Sequence, residues 1–105
     1  MKIITKAIEK KLAESGPESN KPIFKLFNPC GAATWVITGR DKENHDILFG
    51  FADLGMDCVE FGTISLSELL SLKLPFGLKI ERDLHFNPSR YTFEELLNKE
   101  TLAGI

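Results

Sequence analysis

Four acidic side chains and one histidine lie in two short stretches of the sequence, DLGMD and ERDLHF. Successive side chains of an extended strand point to opposite sides, so Glu81, Asp83 and His85 are predicted to share one face. Two carboxylates and a histidine from adjacent strands can bind a metal ion or carry out acid–base hydrolysis. The pattern therefore predicts a candidate enzyme site that combines Asp53 and Asp57 with these three side chains.

A structural explanation of the same acids stays open. Asp53 ends an otherwise apolar strand face, where a carboxylate needs a partner. Arg82 is a predicted partner, and the structural explanation is an ion pair or a turn cap. In a functional site Arg82 would instead orient a carboxylate or an anion, and His85 would titrate near neutral pH. The sequence contains no HExxH or DxDxDG motif, so neither a metal site nor a cofactor is predicted from motifs.

The thiol of Cys30 and the indole of Trp35 are two further groups that could do chemistry or bind a ligand. The stretch Asn28-Pro29-Cys30-Gly31 has the residue preferences of a type I turn. A catalytic cysteine needs a nearby base or a helix N-terminus, so the thiol is predicted to be a partly exposed turn residue. Trp35 could stack on a nucleic-acid base, although core packing is the favoured interpretation.

Positive charge is concentrated near the N-terminus. Residues 1–40 carry seven Lys or Arg and three acids, whereas residues 41–60 carry six acids and one Lys. A solvated helix face is the ordinary explanation, and contact with phosphates or an acidic partner is the functional alternative. The predicted nucleic-acid contacts are Lys2, Lys6, Lys10 and Lys11.

Several motifs that would define a function or a compartment do not occur in the sequence. There is no GxGxxG or GxxxxGK[ST] phosphate loop and no GxSxG serine motif. The sequence has no apolar run of about 18 residues, and lysines interrupt its first segment, so neither a transmembrane helix nor a signal peptide is predicted. The two cysteines form no CxxC motif, so we expect a cytoplasmic protein with reduced thiols and no membrane partner.

The elements that must position these residues follow from hydrophobic periodicity and turn residues. Helices are predicted at 3–14, from Ser65 to about 72, and at 92–102, the second and third opened by capping boxes. Strands are predicted at 23–28, 32–39, 46–55 and 56–64, with a further extended segment at 78–86. The predicted fold class is α+β: a mainly antiparallel sheet of four or five strands, with an N-terminal helix, a short middle helix and a C-terminal helix that cover one face.

The stretch from Lys21 to Phe86 resembles a bacterial family named domain of unknown function 2958. The segments that carry the resemblance are KLFNPCGAATWVIT, ILFGFADLGMDCVEFGTISLSELLSL and PFGLKIERDLHF. The resemblance implies a small stand-alone bacterial protein, often found on plasmids, phages and integrative elements, and it implies no catalytic residues. We predict a single domain, 1–105, made of an N-terminal helix and linker (1–20), the family-like core (21–86) and a C-terminal turn and helix (87–105).

Three functions stay open, in order of preference. The first is a non-enzymatic binding or accessory module associated with mobile genetic elements, whose uneven charge suits a protein partner. The second is a nucleic-acid-associated protein that uses the basic N-terminal segment. The third is a small metal-dependent or acid–base enzyme built on the two acidic stretches.

Overall fold

The computed structural model describes residues 2–102, 104 and 105, and in this part of the chain five strands form one sheet. The strands are β1 (Phe24–Phe27), β2 (Thr34–Arg40), β3 (Ile47–Asp53), β4 (Val59–Ser65) and β5 (Glu81–Arg82). Their order is β4-β3-β2-β1-β5, and neighbouring strands are antiparallel. The helices are α1 (Lys6–Ala13), α2 (Leu66–Ser71) and α3 (Phe93–Leu97), with 3₁₀ turns at Pro75–Gly77 and Pro88–Arg90. The predicted α+β class, with its N-terminal, middle and C-terminal helices, is confirmed.

The central strand β2 is buried along its whole length, and its alternate side chains reach opposite faces of the sheet. Trp35 packs in one hydrophobic cluster with Leu12 of α1 and with apolar side chains of α2. Val36 packs in a second cluster with Phe51 of β3 and Leu96 of α3. We call these two sides the α1 face and the α3 face. The helices cover both faces, so the prediction that they cover one face is wrong, because connection lengths do not determine the side on which a helix packs.

Gly50 lies where β2 and β3 approach each other closely. The pairing of these strands shifts its register between Ile37 and Gly39, which marks a β-bulge. A Cβ atom at position 50 would clash with the carbonyl oxygen of Val36 and would lie 2.9 Å from the Cα atom of Ile37. Glycine at position 50 therefore permits the close approach of β3 to β2 beside this bulge.

The N-terminal helix α1 packs on the sheet. It begins after Thr5, whose Oγ1 accepts a hydrogen bond from the N–H of Ile8 at 3.2 Å, and this cap explains why the helix is shorter than the predicted 3–14. Arg40 of β2 donates from Nη1 and Nη2 to the two carboxylate oxygens of Glu9, at 3.0 and 2.7 Å. The hydrogen bond from Arg40 holds the pKa of Glu9 below its usual value. One bidentate contact thus fixes α1 to the central strand.

The helix α2 begins at the predicted N-cap, Ser65, with the Ser65 half of the predicted capping box, and Asp46 is a further capping residue. The Oγ of Ser65 accepts from the N–H of Glu68 at 3.3 Å. The Oδ1 of Asp46 accepts from the N–H of Ser67 at 2.8 Å, and its Oδ2 accepts from the hydroxyls of Ser65 and Ser67 at 2.7 and 2.8 Å. These hydrogen bonds, with that from Ser65 the largest, hold the pKa of Asp46 below its usual value.

The helix α3 is shorter than predicted. Its predicted capping box is present, since Thr92 Oγ1 accepts from the N–H of Glu95 at 3.1 Å and Glu95 Oε1 accepts from the N–H of Thr92 at 3.3 Å. The helix ends at Leu97, not at residue 102, because the chain turns there and buries Leu102 on the α3 face. Packing against the sheet overrides the helical periodicity of this segment.

Candidate functional site

The two acidic stretches begin at the same end of the sheet but on strands that are not neighbours. Asp53 pairs with Thr34, Thr34 pairs with Phe27, and Phe27 pairs with Glu81, so these residues form one row across β3, β2, β1 and β5. Three strand spacings separate the main chains of Asp53 and Glu81 by about 14 Å. The expectation that the acids come from adjacent strands is therefore wrong.

The buried carboxylate of Asp53 ties the end of β3 to the segment after α3. Its Oδ1 accepts from the N–H of Gly55 at 2.9 Å, and its Oδ2 accepts from the Thr101 hydroxyl at 2.9 Å and the Leu102 N–H at 2.8 Å. Burial raises the pKa of Asp53, but hydrogen bonds from Leu102, Gly55 and Thr101 lower it by more, so the pKa lies below its usual value. This arrangement is the turn cap that was the structural alternative for Asp53.

The extended pattern of ERDLHF ends after Arg82. The Nη1 of Arg82 donates to the carbonyl oxygen of Ile3 at 3.1 Å, so the predicted Arg82–Asp53 pair is replaced by a contact to the N-terminal segment. The Oδ1 of Asp83 accepts from the N–H of His85 at 2.8 Å, and residues 84 and 85 form an exposed turn. Glu81, Asp83 and His85 do not lie on one strand face, and that prediction is wrong because Asp83 closes a turn on its own main chain.

Lys25 of β1 is a buried partner of Asp83 that the sequence analysis did not identify. Its Nζ lies 3.2 Å from Asp83 Oδ2 and 3.2 Å from the main-chain oxygen of Ile105, and the residue is 6% exposed. Burial raises the pKa of Asp83, but the N–H of His85 and the Lys25 ammonium lower it by more, so the pKa lies below its usual value. The available signal was a lysine in the middle of the apolar strand IFKLFN, since a buried ammonium requires an acid.

The described part of the chain, 2–102 with 104 and 105, contains no group of three or more His, Cys, Asp or Glu side chains placed to hold one metal ion. Asp57 is exposed in the turn between β3 and β4, and His85 is exposed in the turn after β5. The catalytic roles considered for Asp57, Glu81 and His85 stay predictions.

The predicted turn at Cys30 is confirmed. The N–H of Gly31 donates to the carbonyl oxygen of Asn28 at 3.2 Å, and the N–H of Cys30 donates to Asn28 Oδ1 at 2.8 Å. The thiol is exposed and free, and its Sγ lies 3.8 Å from the main-chain oxygen of Pro75.

Trp35 is buried in the core on the α1 face, as the favoured interpretation predicts.

The four lysines considered as nucleic-acid contacts are exposed, and their role stays a prediction. Lys6, Lys10 and Lys11 belong to α1, and Lys2 precedes that helix.

Three exposed apolar side chains lie at the end of the sheet that carries the β1–β2 turn. Leu54 and Met56, in the β3–β4 turn, are 56% and 74% exposed, and Phe76, in the loop before β5, is 98% exposed. Both of these segments approach the β1–β2 turn: a Cβ atom at Gly55 would lie 3.0 Å from the Cβ of Ala32, and Pro75 is next to the Cys30 thiol. We call the surface made by Leu54, Met56 and Phe76 the loop end.

The backbone at Phe76 is in the left-handed region, with φ 62° and ψ 23°, and Gly77 follows with φ 73°. Two main-chain hydrogen bonds close this loop, from Leu78 to Pro75 at 3.2 Å and from Leu74 to Leu78 at 3.2 Å. A positive φ is uncommon for a bulky residue and costs about 1 kcal/mol or more. Neither packing nor backbone preference thus explains a phenylalanine at this position.

The helices in the described residues are short: α1 has eight residues, and none of them has the length and apolar character that a membrane crossing requires.

A family model described as "Protein of unknown function (DUF2958)" matches residues 2–98 of the 105-residue chain. The matched range includes α1 and α3 as well as the whole sheet. Comparisons with curated proteins and with solved structures found no match. Because the family model covers nearly the whole chain, the protein belongs to the DUF2958 family, whose function is unknown.

Proposed function

We propose that the protein is a non-enzymatic binding module that docks to a protein partner through the loop end. The observation that carries this proposal is Phe76, an aromatic side chain that is almost fully exposed on a strained backbone. In keeping with the family resemblance, we place the module in the bacterial cytoplasm as an accessory protein of mobile genetic elements.

An exposed phenylalanine in a left-handed conformation carries two energetic costs. Its ring remains in contact with water, although burial of the ring would be favourable by about 2 kcal/mol. Its backbone is also strained. Strained residues cluster at sites where a ligand or partner is bound. Large aromatic side chains that fill a partner's pocket often dominate the energy of an interface, so Phe76 is the expected anchor.

The charges beside Phe76 indicate what the partner must offer. Lys73 and Lys79 lie in the same loop and are exposed. An apolar pocket that accepts the ring, with carboxylates at its rim, would match both features. Leu54 and Met56 add apolar contact area, and the flexible thioether of Met56 can adapt to an irregular surface.

Affinity capture tests the proposal directly. The full chain is immobilised and exposed to nuclease-treated lysate of the cells that naturally make it, in parallel with Phe76→Ser and Leu84→Ser variants. Leu84 is the matched control because it is 63% exposed and lies in the turn after β5, outside the loop end. We expect one stoichiometric partner that the wild type and Leu84→Ser retain and that Phe76→Ser loses.

A partner retained equally by both variants would show that the interaction uses another surface. Recovery of no protein by the wild type would count against a protein-binding module.

A further inference from the structure

A cleft of about 660 Å³ lies between the segment that leads into β1 and the segment that leads into α3. It is separate from the loop end, and its volume is typical of a small-molecule site. Lys11 and Lys21 contribute two positive charges to its lining, and Glu94 contributes one negative charge. Tyr91, Phe93 and two prolines are the apolar and aromatic residues of its lining.

The aromatic wall of this cleft is held in place before any ligand arrives. The ring of Tyr91 stacks on that of Phe86, with centroids 5.6 Å apart and planes 3° apart. The ring of Phe93 packs on Phe51, in the core of the α3 face, with centroids 4.8 Å apart. The adjoining 3₁₀ turn is capped by Asn87. A wall that is already ordered reduces the entropy lost on binding.

We propose that this cleft binds a nucleotide group, with the planar base stacked against Tyr91 and the phosphate held by Lys11 and Lys21. Phe86 stacks on one face of the Tyr91 ring and does not line the cleft, so we place the base on the other face of that ring. Aromatic rings stack on any of the nucleic-acid bases, and ammonium groups bind phosphate oxygens. The sequence lacks a phosphate loop, so side chains rather than main-chain N–H groups take this role.

The charge of the lining indicates how many phosphates the ligand carries. Two lysines against one glutamate give a net charge of +1, which suits one phosphate better than a polyphosphate. The same chemistry is offered by a free nucleoside monophosphate and by one nucleotide of a single strand. The experiment therefore uses adenosine monophosphate and a short oligothymidylate in separate arms.

Amide chemical shifts of the full, isotopically labelled chain provide the test. Both probes are expected to shift the amide signals of residues 20, 21 and 89–94, and adenosine or inorganic phosphate alone to bind more weakly than the monophosphate. Tighter binding of the oligonucleotide that weakens steeply with salt would identify a strand as the natural ligand. Equal or tighter binding of the monophosphate would identify a free nucleotide.

A matched pair of charge variants separates a site from diffuse attraction. Lys11→Ala/Lys21→Ala is expected to weaken binding about tenfold, because two ammonium contacts to phosphate are lost. Lys6→Ala/Lys10→Ala removes the same charge but lies outside the cleft lining, so its effect should be about twofold or less. Tyr91→Phe should retain the affinity and Tyr91→Leu should lose it, in a chain whose remaining spectrum shows that it is folded.

Two results would overturn the proposal. One is the absence of shifts with either probe at millimolar concentration. The other is an equal loss of affinity in the two lysine pairs, which would mean that the probes are attracted to the basic helix as a whole.

Discussion

The Oδ2 atom of Asp53 accepts a hydrogen bond from the main-chain N–H of Leu102 at 2.8 Å, across 49 positions of the sequence. Asp53 belongs to the sheet, and Leu102 belongs to the segment that covers the α3 face. One of the candidate catalytic carboxylates of the sequence therefore joins two parts of the fold.

Replacement of this carboxylate is expected to destabilise the protein. In Asp53→Asn the amide NH₂ would face a main-chain N–H, so the free energy of unfolding should fall by about 2 kcal/mol. Urea denaturation followed by tryptophan fluorescence measures the change. The control is Asp57→Asn, at an exposed residue of the turn that follows Asp53, and it should alter the free energy of unfolding by less than about 0.5 kcal/mol. Equal stability of the two variants would contradict the structural role of Asp53.

The low pKa values of Asp53 and Asp83 predict a loss of stability in acid. Near pH 4 the two carboxylates bind more protons in the unfolded chain than in the folded state, so the free energy of unfolding must fall as the pH falls. The stabilisation from these carboxylates should be complete above about pH 5 and decline progressively below that value. Urea midpoints between pH 2 and pH 7 test this, and the decline should be shallower in Asp53→Asn. Parallel curves for the variant and the wild type would refute the assignment to Asp53.

The buried pair of Lys25 and Asp83 is expected to show strong coupling. Lys25→Met leaves a partly buried carboxylate without its cation and should cost about 2 kcal/mol, less than for a fully buried pair because Asp83 retains some solvent contact. Lys25→Met/Asp83→Asn removes both charges and keeps an acceptor for the His85 N–H, so it should recover at least half of that loss. A thermodynamic double-mutant cycle measures the coupling. Strictly additive losses would show that the two charges do not interact.

The strain at Phe76 predicts that its replacement does not destabilise the fold. Phe76→Asn should leave the free energy of unfolding unchanged or raise it by up to about 1 kcal/mol, because asparagine tolerates positive φ and no buried contact is lost. Thermal unfolding provides the measurement. Phe61→Asn is the control: the ring of Phe61 lies 5.1 Å from those of Phe51 and Phe93, so its loss should cost about 2 kcal/mol. A comparable loss at Phe76 would mean that its ring packs on the protein.

The paired glycines of β3 and β4 offer a test of the sheet itself. Gly50 and Gly62 lie opposite each other, but only a Cβ atom at Gly50 would meet the neighbouring main chain. Gly50→Ala should therefore cost about 2 kcal/mol or more, whereas Gly62→Ala should be neutral or stabilise by about 0.5 kcal/mol. Chemical denaturation of the two variants checks both values. Similar values at the two positions would contradict the close approach of β2 and β3.

Local signals in the sequence were sufficient for the type and order of the main elements. The NPCG turn and the Thr92–Glu95 capping box each depend on a few neighbouring residues, and each is found in the structure. The extent of α3 was not predictable in this way. Where that helix stops depends on Leu102, which packs on strands far away in the sequence.

Side-chain pairing across the sheet could not be predicted because it depends on strand order. The sequence pattern predicts that ERDLHF lies next to the strand that ends at Asp53. The structure places β5 beside β1 instead, so Asp83 meets Lys25 and Arg82 meets Ile3. The exposure and the positive φ of Phe76 could not be predicted from the sequence either, because both depend on how the loop before β5 folds.

The segment that covers the α3 face is synthesised last, and this order affects how the protein folds on the ribosome. The ribosome releases β1 to β4 before the residues that complete their surroundings. Val36 and Phe51 must wait for Leu96 and Leu102, and the carboxylate of Asp53 must wait for the Leu102 N–H. Until that segment emerges, the nascent sheet exposes one apolar face. A chaperone can bind this face, and without a chaperone it can cause aggregation. We therefore expect the native state to form only once synthesis has passed residue 102.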